Sequence, residues 1–70
     1  MNIVYEKTLY SGSAIRKAIA DYASIADIEV QESSDRFICT INRSKYPLDT
    51  TALEFSNYVL NLSVASERPL

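Results

Sequence analysis

Four carboxylates crowd one short stretch of this chain: Asp27, Glu29, Glu32 and Asp35. Clustered carboxylates are what hard cations such as Ca²⁺ and Mg²⁺ take as ligands. The spacing here is not that of an EF-hand loop, and no glycine turn accompanies it. Asp27 and Glu29 alternate with Ala26, Ile28 and Val30, which marks them as the solvent side of a strand. The one cysteine, Cys39, sits among apolar residues in FICTI. A thiol nucleophile needs a base within reach. The chain has no histidine, which removes the commonest general base and the commonest metal ligand. Core packing is the expected role of Cys39. Ser11-Gly12-Ser13 precedes a helix, where free N–H groups can hold an anion. It lacks the longer glycine-rich loop and following Lys-Ser/Thr of a phosphate loop, so it reads as a cap. Lys45 beside Tyr46, with Arg43 close by, is the one place where a ring lies among bases, as single-strand binding requires. With nine acids against seven bases and a net charge of −2, nucleic acid is not the expected partner. No catalytic residue, metal ligand or cofactor site is expected, and no enzyme.

The elements that position these residues are legible in turn. Seventy residues make one domain, residues 1–70, burying about 60% of its unfolded surface. The expected net stability is a few kcal/mol at most. A lone thiol fits a reducing compartment. The start MNIVYEKTLY lacks the basic opening and long apolar run of a secretory signal, so a cytoplasmic location is expected. No stretch approaches the roughly 20 apolar residues of a membrane span, so no membrane is expected as a partner.

Residues 3–9 read as a first strand, with Ile3, Tyr5 and Leu9 on one face, interrupted by Lys7, and Val4, Glu6 and Thr8 on the other. Ala14, Ile15, Ala18, Ile19 and Tyr22 fall at the spacing of one helical face. Ser11 suits the N-cap, with Tyr10 and Ile15 as a hydrophobic staple and an end near Ser24. Residues 26–31 and 36–42 alternate as a hairpin around the turn-like ESSD. The last helix starts with Asp49 or Thr51 as its cap and runs to about Ser66. The order β-α-β-β-α favours a right-handed crossover. It implies an α+β two-layer sandwich: an antiparallel three-stranded sheet of order 1-3-2 with both helices on the face of Ile28, Val30, Phe37, Cys39 and Ile41. This is a ferredoxin-like layer lacking its last strand, and it leaves the first strand with an open edge. The same element order is similar to heavy-metal-associated domains. Their loop after strand 1 carries paired cysteines, where this chain has LYSGSA, so soft-metal binding is not expected.

The last helix is unusual. Over residues 51–66 its one charged side chain is Glu54. At about 100° per residue, Ala52, Phe55, Tyr58, Val59 and Leu62 cover one broad arc, while Leu53, Leu60 and Val64 form a second stripe. Glu54, Asn57 and Asn61 fill a narrow wedge. One sheet needs an apolar stripe only somewhat over 100° wide. Two readings account for the excess: packing on both the sheet and the first helix, or contact with another chain. The second makes Leu53, Asn57, Leu60 and Val64 on this helix, with Val4 and Glu6 on the first strand, the candidate partner interface. A protein or peptide partner, with a second copy in a homodimer as one form, is the expectation.

The residues also resemble a family. Tyr10-Ser11 opens a helix rich in Ala and Ile with Tyr22 toward its end, the hairpin carries IEV and FICTI, and Glu54-Phe55-x-Asn57-x-x-Leu60 lies on the last helix. In these features the chain resembles HxsD, the small accessory protein of the His-Xaa-Ser peptide-modification system. The resemblance implies a non-catalytic protein encoded beside radical-SAM peptide-modifying enzymes, helping them handle a precursor peptide. A small ligand-binding or regulatory domain, recognising a ligand over the sheet, is the alternative expectation.

Overall fold

Alternating side chains decide which way each strand faces, and the computed structural model, which describes residues 1–67 with side chains to residue 65, follows them. The elements are β1 (Asn2–Glu6), α1 (Gly12–Asp21), β2 (Ala26–Glu32), β3 (Arg36–Ser44) and α2 (Leu48–Glu67). The sheet is antiparallel in the order β1-β3-β2. In register, Tyr5 stands opposite Phe37, Ile3 opposite Cys39, Val30 opposite Cys39 and Ile28 opposite Ile41. These residues line the face that the helices cover. Tyr5, Ile15, Ala18, Ala26, Ile28, Phe37, Cys39, Ile41, Phe55 and Val59 form one buried cluster. Among the described residues the domain is thus the expected ferredoxin-like α+β layer without a fourth strand.

Caps and turns set the ends of the elements. The Ser11 hydroxyl accepts the N–H of Ala14 at 3.1 Å, which is the N-cap of α1. Gly12 follows, and the helix passes close over the sheet there: a Cβ on Gly12 would lie 3.2 Å from Phe37 Cζ. α1 ends at Asp21, short of the expected Ser24. The N–H groups of Ile25 and Ala26 both bond the carbonyl of Tyr22, at 2.8 Å each, and turn the chain into β2.

The ends of β1 and α2 differ from the sequence reading as well. β1 stops at Glu6, because the N–H groups of Leu9 and Tyr10 return to the Glu6 carbonyl at 3.1 and 3.0 Å and close a turn. Leu9, expected on the inner face of a longer strand, is therefore 61% exposed. α2 begins at Leu48, before either expected cap. Its first turn is closed by Thr51 N–H on the Pro47 carbonyl, 3.0 Å. Thr51 lies inside the helix, buried, with its hydroxyl 2.7 Å from that of Ser44 at the end of β3. Asp49 stays in the first turn, where a negative charge suits the helix dipole.

Candidate surface on the second helix

α2 is built to be held on one side only. Phe55 and Val59 are fully buried in the core, with Ala52, Tyr58 and Leu62 packed against it. Two serines that lie between the arc and the second stripe, Ser56 and Ser63, are engaged within the fold. Ser56 shares a 2.8 Å hydrogen bond with the Tyr5 hydroxyl, and Ser63 accepts the N–H of Ser11 at 3.2 Å. Burial pushes the Tyr5 hydroxyl up to about 12, and the bond to Ser56 only partly opposes this. Against α1, the Tyr58 hydroxyl donates to Asp21 at 2.5 Å, and Tyr22 lies edge-on to the Phe55 ring, 5.3 Å between centroids. Tyr58 and Lys17 together hold the Asp21 carboxyl below its ordinary value. α2 therefore does pack on both the sheet and α1, as one sequence reading required.

That packing leaves the second stripe uncovered. Leu53 is 65% exposed, Leu60 41% and Val64 46%, and Asn57 is exposed between them. Residues seven and four apart return to one face of a helix, so these side chains make a continuous strip.

β1 adds a second open feature. Among the described residues it pairs with β3 alone, so its other edge offers backbone N–H and C=O groups to a further strand. β2 is the opposite edge, but it carries Asp27, Glu29 and Glu32 and a register irregularity between Asp27 and Ile28. Charge and irregularity both discourage strand addition there. β1 carries only Glu6 as a charged residue. On the uncovered face of the sheet, Val4 is 51% exposed and stands opposite Ile38, while Glu6 stands opposite Arg36.

Cys39 has no exposed surface, and burial pushes its thiol up to about 11, away from the reactive thiolate. The Glu32 carboxyl is paired with Lys7 at 2.7 Å and Arg16 at 3.2 Å, which hold it below its ordinary value. Asp35 is paired with Arg36 and accepts the Ser33 hydroxyl. Among the described residues no three acidic, cysteine or histidine side chains come together as a metal site. Nor is any helix among them long and apolar enough to cross a membrane.

A cleft of about 250 Å³ lies at the far end of the hairpin, between the turn Ala23–Ile25 and the strand ends carrying Asp27, Arg43 and Lys45. Arg43 and Lys45 make no ion pair among the described residues. A shallower groove of about 370 Å³ runs between α1 and the end of α2, lined by Ser13, Lys17 and Leu62 among others. Neither cleft lies between the helices and the sheet.

The sequence reading missed the hydroxyl pairs Tyr5–Ser56 and Ser44–Thr51. Each joins positions in different elements, and only their polar type inside an apolar pattern signals them. Comparison with family models, curated proteins and solved structures gives no match for this chain.

Proposed function

We propose that this chain is a non-catalytic protein-interaction module. Its role is that of an HxsD-like accessory protein, helping radical-SAM peptide-modifying enzymes handle a precursor peptide. The observation that carries the reading is the uncharged strip Leu53, Leu60 and Val64, exposed on a helix whose other side already holds the core. The HxsD-like motif supports it: Glu54, Asn57 and Leu60 face solvent, where a partner would meet them, and Phe55 anchors the helix. The open edge of β1 offers the complementary mode. An extended peptide adds there as a further strand through main-chain hydrogen bonds, with Val4 and Glu6 beside it.

The test is a pull-down from the native host with the protein and its Leu60→Glu variant, followed by mass spectrometry. A radical-SAM enzyme or its substrate peptide should be retained by the wild type and lost from the folded variant. Retention of neither by the wild type would sink the proposal.

The second reading, a small ligand-binding or regulatory domain, rests on the cleft with Arg43 and Lys45. Asp27 in its lining and the α1 C-terminus beside it, the negative end of that helix's dipole, both oppose an anionic ligand.

A further inference from the structure

Counted in sevens, the outer face of α2 is a heptad seam. Thr50, Asn57 and Val64 are spaced by seven, and Leu53 and Leu60 are spaced by seven between them. The alternating steps of three and four place Thr50, Asn57 and Val64 at a positions and Leu53 and Leu60 at d positions. The f positions opposite that seam are Phe55 and Leu62, which pack into the protein's own core. One helix thus carries two seams back to back, the inner one holding the fold and the outer one unfilled.

We propose that α2 pairs in parallel with α2 of a second copy of this chain, about a twofold axis along the helices. Asn57 then faces Asn57, and Leu53, Leu60 and Val64 each face their own counterpart. The proposal rests on reading the outer face of α2 as an interaction surface: a second copy occupies it, and the open edge of β1 is left for the peptide.

Four observations favour a second copy. Leu at d with a β-branched residue at a is the combination that selects two parallel strands. Asn57 sits at the middle of the seam. In the parallel homodimer its amide meets an identical amide, and each can donate to the other. An antiparallel pair sets Asn57 against Leu60, and a wholly apolar foreign helix leaves it without a partner, so both bury an unsatisfied amide. No charge lies between Phe55 and Ser66, and Asn61, exposed beside the seam, is neutral, so over that length two copies of a net-negative chain approach without repulsion. Finally, the core side of α2 faces away from the seam, so the two protomer bodies fall on opposite sides of the helix pair.

The size of the seam sets the strength. From Leu53 to Val64 it is about 16 Å long at 1.5 Å per residue. A standard interface covers about 800 Å² on each partner. Three turns of one helix supply less, which makes this a weak, concentration-dependent dimer. α2 is already folded, so no helix nucleation opposes the pairing. At the N-terminal end of the seam, Asp49 of each copy comes near Glu54 of the other, a like-charge contact that added salt screens.

Sedimentation equilibrium of the full chain over about 5 to 500 µM tests the proposal by mass action. The wild type should move from monomer to dimer and associate more tightly at higher salt. Leu60→Glu should weaken association about tenfold or more while its circular dichroism stays native. Asn57→Leu should tighten it and admit larger oligomers, because the buried Asn trades stability for a single register. Leu53→Cys should oxidise to a covalent dimer, since the parallel register brings the two positions together, whereas an antiparallel pair holds them about 16 Å apart. A folded wild type that stays monomeric throughout would overturn the proposal, as would failure of Leu53→Cys to cross-link while dimers form. A monomer that still retains the radical-SAM enzyme or its peptide in the pull-down would overturn the second copy alone and leave the interaction module standing.

Discussion

Tyr5 and Cys39 show what burial does to single side chains with acidic protons. The Tyr5 hydroxyl is pushed up to about 12 from an ordinary 10.0, and the Cys39 thiol up to about 11 from 9.0, both chiefly by loss of solvent. The folded protein thus keeps protons that the unfolded chain releases. The stabilisation is complete below about pH 9 and is lost as pH rises, through 9 to 11 for Cys39 and 10 to 12 for Tyr5. Urea midpoints measured from pH 7 to pH 11.5 should therefore fall steeply above pH 9. Tyr5→Phe should start lower, by about 1 kcal/mol for the lost bond to Ser56, and its decline above pH 10 should be shallower. Equal slopes for the two proteins would show that Tyr5 titrates freely in the fold. Cys39, with no exposed surface, should resist a thiol reagent at pH 8 until denaturant is added.

At the scale of elements, β3 and α2 are joined by the Ser44–Thr51 hydroxyl pair across the turn at Pro47. Thr51→Val keeps the shape and removes the bond, and the cost expected from urea unfolding is about 1 to 2 kcal/mol. Adding Ser44→Ala should cost less than the sum of the two single changes, because they remove one shared interaction. Strict additivity would mean that the pair contributes nothing.

This contact also shows where the sequence stops being legible. Strands and helices announced themselves through alternation at residues 26–31 and 36–42 and through helical spacing from Ala14 to Tyr22, so the sheet order followed. Ends did not, because they depend on which carbonyl takes a given N–H. Thr51 looks like a capping-box residue in the sequence, yet the Pro47 carbonyl accepts its N–H and closes the turn earlier. Leu9 reads as a strand residue, yet the turn onto Glu6 turns it out. The strip on α2 was legible as an excess of apolar girth. Which part of that girth stayed uncovered depended on Ser56 and Ser63 being engaged with Tyr5 and Ser11, a tertiary fact absent from any periodicity.

For the whole molecule, the small size of the domain couples its core to its assembly. A chain of 70 residues is expected to have only a few kcal/mol of stability in all. Phe37 lies on the central strand, buried, opposite Tyr5 and close beneath the start of α1. Phe37→Ala should cost about 3 to 5 kcal/mol, leaving the variant close to its unfolding midpoint at room temperature by circular dichroism. An unchanged melting temperature would mean that Phe37 carries no core packing. If α2 pairs with a second copy, mass action reaches this same equilibrium. For a dissociation constant of about 100 µM, raising the protein to about 500 µM stabilises the fold by about 1 kcal/mol. In a domain this small that amounts to about 4 to 8 °C in melting temperature. The Phe37→Ala variant should therefore refold measurably as it is concentrated, and the same variant carrying Leu60→Glu should not. Identical, concentration-independent melting of both would separate the core from the surface of α2 and leave the outer seam without a thermodynamic role.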